Sequence, residues 1–348
     1  MASMDKSGKD ANGKSVKLEA SAPRPHFDGK GDIIPMYRKC PPLLYFDWMI
    51  RFWIYFDTPA HWISWYACVG FYFGGILFII GSFAGISPAI YNQSVVGNCM
   101  GDVFDWLVTF CYLFGNALWF VATSFQIIES LNPGYDQRVA EWEAEGRNGP
   151  KPKYIWFGLR LTNLAWWGAC SYTLGVALYI GAAVGTIIND CPNTLLAPDV
   201  YLWIVDYFYL IAGILFFLSG VAYVMYEISI WLIPGIFCPF TRKHAKSMLW
   251  WALWLYFWGG VGFCMGGIQL YWDSPINLVE TVPQYNIITG IGFGGGSICF
   301  HLGAALLLAR QSRGRCRPSY AFTASRLDPT SHTGSHYMEP TPNGANKV

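Results

Sequence analysis

Tyr201 to Trp231, YLWIVDYFYLIAGILFFLSGVAYVMYEISIW, decides the fold of this chain. Between Tyr207 and Tyr226 no side chain is charged, and a run of about 20 apolar or weakly polar residues is what an α-helix needs to cross the hydrocarbon layer. Inside it, small residues stand at Gly213 and Gly220, with a large ring at Phe217, four places after the first glycine. A small residue and an aromatic, each near a helical period, give the span one notched face that a second helix can approach closely.

Five other stretches carry the same pattern, which is an aromatic three before a reference glycine, an aromatic four after it and a small residue seven after it. They are Phe71, Gly74, Phe78, Gly81; Tyr112, Gly115, Trp119, Ala122; Tyr172, Gly175, Tyr179, Ala182; Tyr256, Gly259, Phe263, Gly266; and Phe293, Gly296, Phe300, Gly303. The opening span departs from it, with Leu210 at the first aromatic place. Apolar helices are rich in Gly and Phe in any case, so the weight falls on the constant spacing, which implies duplicated units. Fourteen places after the reference glycine, the second, fourth and sixth spans reach Glu129, Glu227 and Arg310, the first charge after each apolar run. The same count in the first, third and fifth reaches Pro88, Asn189 and Asp273, where the chain turns. The repeating unit is therefore a hairpin of two helices, present three times.

Composition agrees with a membrane class of chain: 53% of residues are hydrophobic, 13% charged and 18% aromatic. A net charge of +1 predicts no nucleic-acid partner. The placement of basic residues is more informative. The amino-terminal segment, the connection 130–163, the turn holding Arg242, Lys243 and Lys246, and the tail opening at Arg310 carry Lys and Arg, whereas 86–104, 189–200 and 273–284 carry none. Basic side chains stay on the cytoplasmic side, so this alternation predicts an even number of spans with both termini cytoplasmic. The expected setting is the plasma membrane or another membrane of the secretory pathway.

The predicted fold is thus all-α, a polytopic bundle of six spans made of three tandem hairpins, with a pseudo-threefold axis along the membrane normal. Residues 1–42 read as a disordered cytoplasmic arm. Residues 43–57 read as an amphipathic helix in the inner interface, aromatic but with Asp47 and Arg51 one turn apart. The membrane domain is 58–312, with hairpins 62–129, 164–229 and 248–310 and a cytoplasmic connection at 130–163. The tail, 313–348, reads as disordered.

Cys99 and Cys191 fall in adjacent outer loops, where an oxidising compartment favours a disulfide over two free thiols. Asn92 opens a glycosylation sequon, close enough to the membrane that poor occupancy is expected. Among polar residues inside spans, Asp206 is the clearest candidate for function, because a charge in the bilayer is costly. Its place five residues into the fourth span also lets it reach headgroups or an outer water cleft, the preferred reading. His301 reads first as an interhelical hydrogen bond and second as a proton relay. Asn116, Gln126 and Gln269 read as interhelical hydrogen bonds. Glu129, Glu227 and Arg310 are expected as a ring at the inner face, two acids and one base. The glycines Gly74, Gly81, Gly115, Gly175, Gly213, Gly220, Gly259, Gly266, Gly296 and Gly303 are expected to pack helices, within the chain or in a homo-oligomer.

GIGFGGGS, Gly290 to Ser297, lacks the preceding strand and the Lys of a phosphate loop. No metal-ligand spacing, nucleophile elbow or cofactor motif appears, so neither an enzyme nor a cofactor is predicted. GGILFIIG (Gly74 to Gly81), with the acidic ends of GNALWFVATSFQIIE (Gly115 to Glu129) and GILFFLSGVAYVMYE (Gly213 to Glu227), resembles the small two-helix bacterial membrane domain called YrhK-like. The resemblance implies three such units in tandem and a membrane location, and implies no activity. Arg310 departs from it in the third unit. Two functions follow as expectations: a membrane scaffold whose cytoplasmic segments recruit a partner, or a transporter or channel for a small solute, ion or proton using Asp206, His301, Glu129 and Glu227.

Overall fold

The computed structural model describes residues 59–91, 101–191, 194–228, 248–272 and 282–313. The arm, the 43–57 segment, the tail, Asn92 and Cys99 lie outside them. The described residues form helices and no strand, and six of the helices are long and apolar enough to cross a membrane. They are Pro59–Gly85, Asp105–Leu131, Leu164–Asp190, a segment beginning at Pro198 and ending in the helix Tyr207–Ile228, Met248–Trp272 and Val282–Arg313. At 1.5 Å per residue, a 27-residue span such as the first reaches about 40 Å, more than the hydrocarbon thickness. The chain is a multi-pass membrane helix bundle.

Each span packs against its neighbours in chain order, and the sixth returns to the first, so the six make a closed ring. Rings of aromatic side chains fill its axis in four triangular layers, each layer taking one residue from every hairpin. The innermost, nearest the 130–163 connection, is Phe71, Tyr172 and Tyr256, with Phe71 at 6.1 Å and 5.4 Å from the two tyrosine rings. Next come Trp119, Phe216 and Phe300, at 5.8, 5.0 and 5.8 Å from one another. Then come Phe78, Tyr179 and Phe263, with Phe263 at 5.4 Å and 5.7 Å from the other two. Tyr112, Tyr209 and Phe293 form the last, at 6.2 Å and 6.1 Å from Phe293. Ring pairs at these separations add about 0.5–1.5 kcal/mol each beyond area burial.

The layers exist because small residues let the helices of a hairpin close on one another's rings. A Cβ on Gly115 would meet Phe78 at 2.8 Å, one on Gly175 would meet Phe216 at 2.8 Å, and one on Gly259 would meet Phe300 at 2.8 Å. Gly74 likewise lies against Trp119, and Gly296 against Phe263. In the fourth span the register differs from the one expected. Phe216 is fully buried while Phe217 is half-buried, and the residues in the repeat positions are Tyr209, Ala212, Phe216 and Ser219. This register restores the aromatic that Leu210 lacked. A shift of one residue turns a side chain about 100° around the helix axis, so Gly213 and Gly220 face sideways to the fifth span. There a Cβ on Gly213 would sit 2.8 Å from the Phe263 carbonyl oxygen, and Gly267 makes the reciprocal approach, 2.5 Å from that of Tyr209. Ala212 serves as the small residue of the hairpin, leaving both glycines for a backbone-to-backbone contact between hairpins.

The 130–163 connection is folded onto the end of the bundle. Asn132, fully buried, accepts from the Ile155 amide at 2.8 Å and donates to the carbonyls of Ile128 at 2.8 Å and Ile155 at 2.6 Å. Its helix, Tyr135–Ala144, sets Tyr135 and Val139 against Ala60 at the start of the first span. Asn163 caps the third span by accepting from Ala165 N at 2.9 Å.

Candidate functional site

The second and fourth spans do not begin as ordinary α-helix. Asp105–Thr109 and Leu202–Asp206 are each one π-helical turn, occupying the same positions of the repeat. Such a turn redirects the following side chains and recurs at functional sites. The last residue of each, Thr109 and Asp206, is buried and lines a cavity of about 290 Å³ at the end of the bundle opposite the 130–163 connection. The same place in the sixth span is Gly290, which also lines it. Three hairpins thus bring a hydroxyl, a carboxylate and a bare backbone to one chamber. Its floor is the last aromatic layer, Tyr112, Tyr209 and Phe293, with Phe78 and Tyr179 reaching it from below.

Asp206 is 5% exposed. It lines this chamber, and its carboxylate lies within electrostatic range of Tyr201 and Tyr209. The Ser82 and Tyr112 hydroxyls share a hydrogen bond at 3.0 Å, and the Thr186 hydroxyl donates to the Ala182 carbonyl at 3.0 Å. Asn116, 2% exposed, lines the same wall, and its Oδ1 has no hydrogen-bond partner. Asn116 and Asp206, far apart in sequence, therefore belong to one site.

The remaining candidates do not join them. His301 lies outside the chamber, its Nδ1 at 2.9 Å from the Tyr72 carbonyl oxygen and its ring 4.3 Å from that of Tyr72, between the sixth and first spans. Glu129 lies at the other end, beyond the aromatic layers. It is 1% exposed and accepts from the Ser64 hydroxyl of the first span at 3.4 Å. Gln126, also 1% exposed, is buried in the same span with neither side-chain polar atom hydrogen-bonded. The side chains of Glu227, Arg310 and Gln269 lie outside the described residues, so of the expected inner-face ring only the Glu129 side chain is described. Among the described residues, Cys68, Cys111, Cys170, Cys264 and Cys299 are free thiols.

Asp105 escaped the sequence reading although it is 5% exposed. Its amide donates to Asp102 Oδ1 at 2.9 Å and its Oδ2 accepts from the Asp102 amide at 3.4 Å, a reciprocal cap on the second span. The Asp-x-x-Asp spacing was the available signal. No protein-family model, curated protein or solved structure matches the chain. The YrhK-like resemblance accordingly rests on the residues alone.

Proposed function

We propose that this chain is a non-catalytic membrane scaffold, three fused YrhK-like hairpin units forming a closed, non-conducting bundle. Its arm, 130–163 connection and tail are the surfaces for a cytoplasmic partner, and both termini are cytoplasmic. The proposal includes a Cys99–Cys191 disulfide and an inner-face grouping of Glu129, Glu227 and Arg310.

The observation that supports a scaffold is the filled axis. A transporter or channel through Asp206, His301, Glu129 and Glu227 needs a continuous polar path. Between Asp206 and Glu129 stand four layers of packed rings, and His301 is held at a helix contact beside them. Cores at crystal-like density leave no room for water to thread. The small-residue faces supporting this bundle are occupied inside the chain, so a homo-oligomer would use outward, lipid-facing side chains such as Phe83 and Phe114, both exposed.

The test is reconstitution into vesicles loaded with a pH-sensitive dye, under imposed proton and potassium gradients. The expected trace matches protein-free vesicles. Flux that vanishes in Asp206→Asn, with the protein still inserted, would establish the transporter instead.

A further inference from the structure

We propose that the chamber over the aromatic floor binds a small organic monocation, an amine carrying a compact apolar body. Asp206 supplies the counter-charge and Asn116 Oδ1 a hydrogen-bond acceptor. The inference goes beyond the scaffold reading and does not depend on it.

Charge comes first. Asp206 contributes a carboxylate, and none of the described lining residues is Lys, Arg or His. An anion entering the chamber would meet that carboxylate in a medium of low dielectric, where like charges repel strongly. Asn116 adds a second acceptor: its Oδ1 is buried, without a partner, and on the cavity wall. A buried acceptor left unpaired is costly, and an ammonium N–H satisfies it while neutralising the carboxylate. One carboxylate with amide and hydroxyl oxygens balances a single positive charge. A divalent ion calls for several charged oxygen ligands, and Asp105 is committed to its cap with Asp102.

Shape and wall chemistry set the rest of the ligand. The volume, about 290 Å³, is near the lower end for small-molecule sites, which suits one ring or a short chain. Tyr112, Tyr209 and Phe293 present aromatic surface at the floor, and aromatic faces attract cations and bury apolar bodies.

The departures from threefold repetition also converge here. Thr109, Asp206 and Gly290 occupy one repeat position, six residues before Gly115, Ala212 and Gly296. One is charged and one carries a hydroxyl, while the third is a glycine because a Cβ there would run into Ile86. Both π-helical turns end at this level, at Thr109 and Asp206.

The test uses the full-length protein in lipid nanodiscs and three probes of one shape: phenethylamine, the neutral 2-phenylethanol and the anion phenylacetate, titrated by calorimetry. The amine is expected to bind saturably, about tenfold or more tighter than the alcohol, with no binding of phenylacetate. Asp206→Asn should remove that preference while leaving the alcohol unchanged, and Asn116→Leu should weaken the amine. Equal binding of amine and alcohol, or no saturable binding of either, would overturn the proposal. So would an Asp206→Asn protein that keeps the wild-type unfolding temperature and its full preference for the amine. If that variant fails to insert, the comparison of the three probes on the wild-type protein still decides.

Discussion

His301 Nδ1 and the Tyr72 carbonyl oxygen, 2.9 Å apart, join the last membrane span to the first and help to close the helical ring. The imidazole also lies over the Tyr72 ring at 4.3 Å, against Gly75, where a Cβ would meet His301 at 2.9 Å. His301→Phe keeps the ring contact and loses the hydrogen bond, so it should destabilise by only about 0.6 kcal/mol, the average for such bonds between membrane helices. His301→Ala also empties the space and should cost about 2–4 kcal/mol. Thermal unfolding in detergent separates the two; equal losses would mean that the ring contributes no packing.

The fourth-span register is tested by neighbours. Phe216→Ala removes a fully buried ring from the layer it shares with Trp119 and Phe300 and should cost about 3–5 kcal/mol. Phe217→Ala, at a half-buried position touching Phe257 at 5.9 Å, should cost well under half of that. The reverse order in denaturant titration would restore the Gly213–Phe217 register.

Glycines in the sixth and fifth spans differ in what surrounds them. A Cβ at Gly267 would lie 2.5 Å from the Tyr209 carbonyl oxygen, which cannot move without its helix, whereas at Gly295 it would meet nothing within 4 Å. Gly267→Ala should destabilise by about 1–3 kcal/mol. Gly295→Ala should be neutral or stabilising by up to about 1 kcal/mol, since alanine is the better helix former.

Asn132 holds the connection by three hydrogen bonds, to Ile128 and Ile155. Asn132→Ala leaves the Ile155 groups without that partner, at a local cost of about 1–3 kcal/mol. Limited proteolysis should then cut between 145 and 163 faster, while the unfolding temperature of the bundle barely changes. A large fall in that temperature would mean that the connection is part of the core.

Much of this was legible in the chain alone because the bilayer restricts what a backbone can do. Runs such as 207–226 must be helical to satisfy their own peptide groups, and the spacing of Gly74, Phe78 and Gly81 recurs often enough to expose the repeat. Asp206 stood out for its charge alone. What could not be read was which of two adjacent residues turns inward. Gly213 and Ala212 are both small, and Phe216 and Phe217 are the same residue, so counting from the glycine chose the wrong pair. Asn116 looked like any interhelical amide, and nothing in its neighbourhood points to residue 206.

The sequence by itself determined the number of spans, the hairpin repeat and the identity of the aromatic residues, since these depend on local composition and helical period. Only the tertiary structure decided that the rings stack in four triangles along the axis, that the sixth span meets the first, and that Asp206, Asn116 and Thr109 share one chamber. Those relations depend on how helices rotate and lean against one another in three dimensions, a choice made by the summed fit of many small contacts and carried by no single residue.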